Sequence, residues 1–416
     1  MTKNMTQAPK FAPKPNGAGE MFQLFRDGNP RTRAELTTIT RQSRSTIAAR
    51  LDILHSMGLI GPAGEASSTG GRPPAVFAFT PEVKIVIGVD VGATHIGVAL
   101  TDLAANILQE HREIANIARG PELILQRVGE IVHELISRTN RTLDDVVAVG
   151  IGLPGPVDHS TGRPITPPIM PGWNDADVPK ILHRHLGGPL SLENVLVDND
   201  VNVMALGEHA KAYPDIDHLL FVKIATGIGS GVIMDGSLRR GAQGAAGDLG
   251  HVAIPANSAN AASTNDLTRL CRCGNTSCLE AIASGGALIE DLQHQGFAVE
   301  TVDDIVTEIQ HGNVEVGQAV RDAGRTIGEV LATCVSLFNP SLIVIGGVLA
   351  QSGDHLLAGI REVVYRRSLP LATQNLRIAT TKTGIEAGVY GAAVLAADHV
   401  LSAQAIEHAI FDAQAL

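Results

Sequence analysis

A chain of 416 residues with 44% apolar and 18% charged residues is too long for one compact domain and too apolar for disorder, so two or three cores are expected. The net charge of -11 is uneven: residues 1–80 hold ten Lys/Arg against five Asp/Glu, and the remainder holds 22 against 38, so a basic head of +5 is joined to an acidic body of -16 that repels nucleic acid unless the head faces it. Four Cys exclude a disulfide framework at this size, and the absence of a secretory segment or a membrane-length apolar run makes the chain read as cytoplasmic.

In chain order, residues 1–19 read as a flexible leader and residues 20–80 as one small module. FQLFRDG closes a short helix at Gly28, Thr32 caps a second in RAELTTIT, and Ser43 caps a longer third in RSTIAARLDILHSMGLI, which Gly58 stops. Leu36, Ile39, Ile47, Leu51 and Leu54 supply its inward face. Two short helices, a tight turn and a longer helix predict a helix-turn-helix. LIGPAGEASSTGGRPPAVFAFTPE then reads as two strands around a Gly-rich wing carrying Arg72. On this reading Arg41, Arg44, Ser45, Thr46, Arg50 and Arg72 face DNA, although a solvated basic head would show the same charge.

From Lys84 onward buried strands alternate with helices, which predicts an α/β body. It ends in an Ala-rich helix at about 385–400, followed by a tail or a further helix at 401–416. Three Gly-containing turns lie at strand ends: Asp90-Val91-Gly92-Ala93-Thr94, Thr226 to Gly231 with Gly227 and Gly229, and Gly346-Gly347. Each alone fits ordinary strand packing, whereas three together fit a nucleotide cleft. Asn199, Asp200, Asp248, His251 and Glu280 offer the paired donors and acceptors that neighbouring hydroxyls need, with helix capping or salt bridging as the structural alternative for any one of them. Cys271, Cys273 and Cys278 lie within eight residues, with His251 twenty residues upstream as a fourth ligand. Three thiolates and an imidazole favour a closed, structural tetrahedral Zn2+ site; an iron–sulfur cluster and three unconnected cysteines are the alternatives.

These segments resemble the ROK family of sugar kinases and bacterial repressors from about Val83 to residue 400, most specifically through GDLGH followed by CRCGNTSCLE, and also through GIGLPGPVD at 150–158 and VDNDVNVMALGE at 197–208. Together with the head, the chain resembles the regulator branch, which includes xylose, glucose and N-acetylglucosamine repressors. The resemblance implies an α/β, two-lobed, actin-like (ribonuclease H-like) sugar-kinase fold with an N-terminal winged helix-turn-helix. The first lobe would span 83–200, completed by about 383–400, and the second, with the zinc site, 201–382. It implies that Asn199, Asp200, Asp248, His251 and Glu280 face a sugar, that Asp200 matches the kinases' catalytic base, and that His251, Cys271, Cys273 and Cys278 hold one Zn2+ per chain. Asp90, Gly92, Thr94, Gly227, Gly229, Gly346 and Gly347 would be vestiges of a nucleotide site.

Two departures bear on activity. The first turn reads DVGATH where the kinases have a DxGGTK-like motif, so Ala93 adds a Cβ and His95 replaces a fixed charge, which argues against ATP binding. Asp248 stands where Glu is common, a shorter reach by roughly 1.5 Å. The expected protein is a non-enzymatic regulator of sugar-utilisation genes whose partners are double-stranded operator DNA, a sugar or sugar-derivative effector, and a second copy of itself as a homodimer or tetramer. A sugar kinase with an added DNA-binding head and a protein-docking module are the competing readings.

Overall fold

The computed structural model describes residues 17–65, 75–254 and 269–415. Two compact units emerge: residues 1–85, 102–106 and 397–416 form one, and residues 86–101 and 107–396 the other.

In the smaller unit, α1 (Ala18–Phe22), β1 (Arg31–Thr32), α2 (Arg33–Thr40), α3 (Arg44–Ser56), β2 (Ile60–Glu65) and β3 (Ala75–Phe79) make three helices and an antiparallel sheet of order β1-β3-β2. The Thr32 hydroxyl accepts from the Glu35 amide while the Glu35 carboxylate accepts from the Thr32 amide, a reciprocal box that starts α2. The Ser43 hydroxyl accepts from the Thr46 amide at 3.1 Å and starts α3. Met21, Phe22, Phe25, Leu36, Ile47, Leu51 and Leu54 are buried. Ile39, expected to point inward, is instead 51% exposed. Thr40 is buried in its stead, because α2 has only two turns and its inward stripe runs through Leu36 and Thr40. The first helix starts at Ala18, within the stretch read as a leader. The Gly19 amide donates to Glu407 Oε1 at 2.8 Å and Gln23 Nε2 to the Leu401 carbonyl at 2.7 Å, so the C-terminal helix Ala403–Ala415 closes this unit.

The larger unit begins with β4 (Ile85–Val91), β5 (His95–Asp102), β6 (Ile107–Ile114), α4 (Pro121–Ser137), β7 (Val146–Leu153), β8 (Val157–Asp158), β9 (Arg163–Pro164), α5 (Val178–Leu186), β10 (Val195–Asn199) and α6 (Asp200–Ala212). Its first sheet has the order β10-β7-β4-β5-β6. A second sheet follows from β11 (Leu219–Ile224), β12 (Ile228–Met234), β13 (Ser237–Leu238), β14 (Leu342–Gly346) and β15 (Arg377–Thr380), in the order β13-β12-β11-β14-β15. Between β13 and β14 run α7 (Leu279–Ala283), α8 (Gly285–His294), α9 (Val302–Gln310) and the 25-residue α10 (Val314–Phe338); α11 (Asp354–Arg367) and α12 (Pro370–Thr373) precede β15. Every residue of β4 is buried, whereas β6 alternates between half-buried and exposed, as an edge strand does. The Ala-rich helix Ala387–Val400 lies so close to the first sheet that a Cβ on Gly88 would sit 2.1 Å from the Val389 carbonyl oxygen, and one on Gly150 2.0 Å from that of Ala392. Small residues on both sides are therefore the condition of this packing.

The fully buried Glu208 on α6 accepts from Thr381 Oγ1 (2.6 Å), the amides of Lys382 (2.8 Å) and Thr383 (3.1 Å), and Thr383 Oγ1, tying α6 to the loop after β15. Glu208→Gln would turn an amide donor toward donors. We expect a loss of about 3 kcal/mol, read as a lowered urea midpoint with an unchanged slope; an unshifted midpoint would show that the loop does not depend on the carboxylate.

Candidate functional site

The strand β10 delivers Asn199 and Asp200 to the first turn of α6. Asn199 is the helix cap: its Oδ1 accepts from the Val201 amide (2.9 Å) and the Asn202 amide (3.4 Å), and its Nδ2 donates to the Gly155 carbonyl (2.9 Å). These three bonds to backbone fix the side chain at the helix start beside Asp200 and leave one Nδ2 N–H for a further partner. Asp200 is buried and accepts a 2.6 Å hydrogen bond at Oδ2 from Lys223 Nζ, which reaches across from β11. Asp90, buried at the end of β4, accepts at Oδ2 from His95 Nε2 at 3.0 Å, with Arg112 Nη1 3.9 Å away. Burial pushes the Asp90 carboxyl up, but the His95 hydrogen bond and the charges of His95, Lys223 and Arg112 outweigh it and hold it below the usual range. Burial likewise opposes the Lys223 ammonium, and the Asp200 and Asp90 charges together hold its pKa above the ordinary lysine value.

Lys223, Arg112 and the pair Asp198–Arg240 escape the sequence reading. Asp198 is buried, accepts from the Asn202 side-chain amide at 2.9 Å and from Arg240 Nε at 2.5 Å, and so anchors the loop after β13 beside β10. For Lys223 a signal was present: a lysine inside the apolar run LLFVKI has to find a buried partner.

At the glycine turns an added Cβ would meet the protein's own atoms. A Cβ on Gly92 would meet the His95 ring at 2.2 Å, and Thr94 is exposed at the turn. Glu280 Oε2 accepts from the Ile228 amide at 3.0 Å and lies 2.5 Å from where a Gly227 Cβ would be. Gly229 faces Val201, next to Asp200, and Gly250, next to His251, faces the Ile228 carbonyl and Glu280. The turn Thr226–Gly231 therefore touches both ends of the candidate set. Gly346 and Gly347 allow close strand packing: a Cβ on the first would strike the Phe221 ring, and one on the second, at φ +85°, the Ile224 carbonyl.

The segment carrying Asp248 and His251 is strung between two elements. The Gly247 carbonyl accepts from the Ser230 amide (3.0 Å) and hydroxyl (2.7 Å), and the Val252 carbonyl accepts from the Leu279 amide (2.9 Å). Asp248 is half-exposed, and its Oδ1 lies 4.0 Å from His251 Nε2. The other ring nitrogen, Nδ1, lies 3.6 Å from Cys271 Sγ; Cys273 and Cys278 Sγ are 3.7 Å apart; and all four ligand atoms fall within 4.8 Å of one another. In a tetrahedron with metal–sulfur bonds of about 2.3 Å and metal–nitrogen bonds of about 2.0 Å, the S···S and N···S edges are about 3.8 and 3.5 Å. The donor set fits a single chelated cation. Burial pushes the Cys278 thiol up to about 12, with Cys273 and Cys271 adding to the rise. Cys334, buried in α10, is no part of this cluster.

On the smaller unit, Arg41, Arg44 and Ser45 are exposed, while Thr46 and Arg50 are half-buried on α3, Arg50 Nη1 donating to Gln42 Oε1 at 2.5 Å. Arg41 ends α2 in the left-handed conformation at φ 56°. Arg72 lies outside the described residues.

A sequence profile of the ROK family matches residues 86–399. The chain is 28% identical over 377 residues to the xylose repressor of Bacillus spizizenii, covering 90% of this chain and 92% of that one. The fold superposes on a solved ROK family transcriptional regulator, a homologue of the E. coli MLC protein, with a TM-score of 0.77 and 24% identity over 94% of this chain and 97% of that one. It superposes on a ROK family glucokinase of Streptomyces griseus, solved with glucose and AMPPNP, with a TM-score of 0.61 and 28% identity over 75% of this chain and 98% of that one. The α/β architecture is thus the sugar-kinase fold of these proteins with an N-terminal region of helix-turn-helix kind, and the chain resembles both repressors and kinases. Among the described residues no single helix is long and apolar enough to cross a membrane.

Proposed function

Since the chain belongs to the ROK family, we propose that it is a sugar-responsive, DNA-binding transcriptional regulator, most simply a repressor, of sugar-utilisation genes. One observation carries this reading. The repressor match extends over 90% of the chain, whereas a whole glucokinase matches only 75%, and a basic three-helix head with a small sheet makes up the N-terminal remainder. The protein would act in the cytoplasm as a homodimer on a two-fold operator. One structural Zn2+ per chain would be held by His251, Cys271, Cys273 and Cys278, keeping His251 Nε2 and Asp248 beside the sugar. Asp200, Asp248, His251 and Glu280 would bind the sugar hydroxyls, with Asn199 orienting Asp200. A sugar with unequal affinity for the DNA-competent and incompetent states supplies the switch.

The retained Asp200 favours a second reading, a sugar kinase with a DNA-binding head. The His95 ring over Gly92 and the Lys223 ammonium on Asp200 count against it. Phosphoryl transfer from Mg-ATP to a panel of aldoses separates the two.

The head is tested by fluorescence anisotropy on duplex DNA from sugar-gene promoters, with and without each aldose. Arg44→Ala is expected to weaken binding by about 1–3 kcal/mol if the side chain reads a base, or to lower the salt slope by about one if it contacts a phosphate. Unchanged affinity at every salt concentration removes Arg44 from the interface, and the absence of any aldose effect sinks the sensing role.

A further inference from the structure

We propose that the Lys223 ammonium is a built-in counter-ion that takes the place of a divalent cation at Asp200 and Asp90, so that the site accepts a sugar but excludes a metal–nucleotide. The contact on which this rests joins the two sheets: Lys223, on β11, donates to Asp200, at the end of β10, over 2.6 Å. Both carboxylates are buried, at 4% and 8% exposure. Asp90 is engaged by His95 and lies within ion-pair reach of Arg112. Burial alone lowers a lysine pKa, yet Lys223 is held charged by both carboxylates.

Mg2+ and Mn2+ are held in such sites by one or two carboxylates, water and substrate phosphates. A monovalent cation already hydrogen-bonded to the carboxylate occupies one of its lone pairs and repels a second cation across a few ångströms of poorly screened space. Removing Lys223 leaves two buried carboxylates, the space its side chain filled and one positive charge fewer. Ala93 and the lysine missing from position 95 argue against nucleotide binding from the sequence alone. The fold supplies a lysine from another strand, facing the carboxylates instead of a phosphate. This inference concerns the cleft alone and stands apart from operator binding, which is measured separately.

The test uses the full chain, first saturated with zinc so that the His251–Cys278 cluster is filled, and follows free Mn2+ by its electron paramagnetic resonance signal. Wild-type protein is expected to leave the signal intact. Lys223→Ala should bind one Mn2+ by about tenfold or more tighter, with a matching Mn2+-dependent rise in Tm, and adding Asp90→Asn should abolish both. Lys223→Gln, which keeps a donor toward Asp200 without the charge, gives the same readout if the alanine variant does not fold. Two results overturn the proposal: a folded Lys223 variant that takes up no more Mn2+ than wild type, or wild-type uptake that disappears on Asp90→Asn alone.

Discussion

Purified protein should carry about one zinc ion per chain, and Cys273→Ser should lose it together with the sugar response. Structural zinc held by three thiolates and an imidazole contributes on the order of 10–16 kcal/mol of apparent binding free energy at neutral pH, and that energy is also folding energy. Removing one of the four ligands should therefore weaken zinc retention by at least about a hundredfold. The effect spreads because the cluster is not peripheral. His251 is three residues from Asp248, the next residue, Val252, accepts from Leu279, and Glu280 follows and accepts from Ile228 in the second glycine turn. Releasing the metal is therefore expected to loosen this segment against the second glycine turn. In the metal-free cluster burial pushes the Cys278 thiol up to about 12, whereas a metal binds the thiolate, so uptake should displace protons; zinc affinity should rise with pH and be lost on acidification. Elemental analysis, chelator-driven release and thermal unfolding read the three effects. No metal in gently prepared protein would falsify the assignment, and a Cys273→Ser variant with full zinc and unchanged Tm would remove that ligand.

Asp200→Asn is expected to act twice. On the proposed reading the carboxylate accepts from a sugar hydroxyl, and losing one charged hydrogen bond costs about 1.5–3 kcal/mol, or about ten- to over a hundredfold in affinity. It is also the partner of Lys223, whose side chain keeps a quarter of its surface in solvent. Stranding that ammonium should cost about 3 kcal/mol of stability, at the low end for a broken buried pair. Sequence reasoning alone expects this variant to fold as the wild type does; the Lys223 contact revises that expectation, and sugar binding has to be measured well below the lowered Tm. Combining Asp200→Asn with Lys223→Met separates the effects, since it should restore much of the stability and none of the sugar affinity. Calorimetry with aldoses and an ATP-turnover assay complete the test, with turnover expected at background in both proteins. Equal sugar affinity in wild type and variant rejects the sensing role, and sugar-dependent turnover that vanishes with Asp200 makes the protein a kinase.

Local chemistry was legible in the sequence. Thr32 and Ser43 announced the starts of α2 and α3, because a capping side chain bonds within three residues of itself. Cys271, Cys273 and Cys278 announced a chelate for the same reason, since eight residues cannot keep three sulfurs far apart. His251 was a fourth ligand by residue type and by its place twenty residues upstream, and the fold brings its Nδ1 to the cluster. What a side chain does when its partner is far away in the chain was not legible. That Asn199 caps α6 and also reaches the Gly155 carbonyl followed only from the fold.

By itself the sequence determined that a basic helical head precedes an acidic α/β body, that the body carries a cysteine-rich cluster with the chemistry to chelate a cation, and that its glycine turns fall at strand ends. These follow from period, charge and spacing, all of them short-range properties of the chain. Only the tertiary structure decided that Ile39 faces solvent, that the helix Ala403–Ala415 packs on the first helix, with contacting residues 388 apart in the chain, that His95 covers Gly92, and that Lys223 answers Asp200. Each of these pairings is long-range or steric. It is selected by which buried charge, cavity or apolar face is left unmatched once the sheets have closed, and no local pattern encodes that.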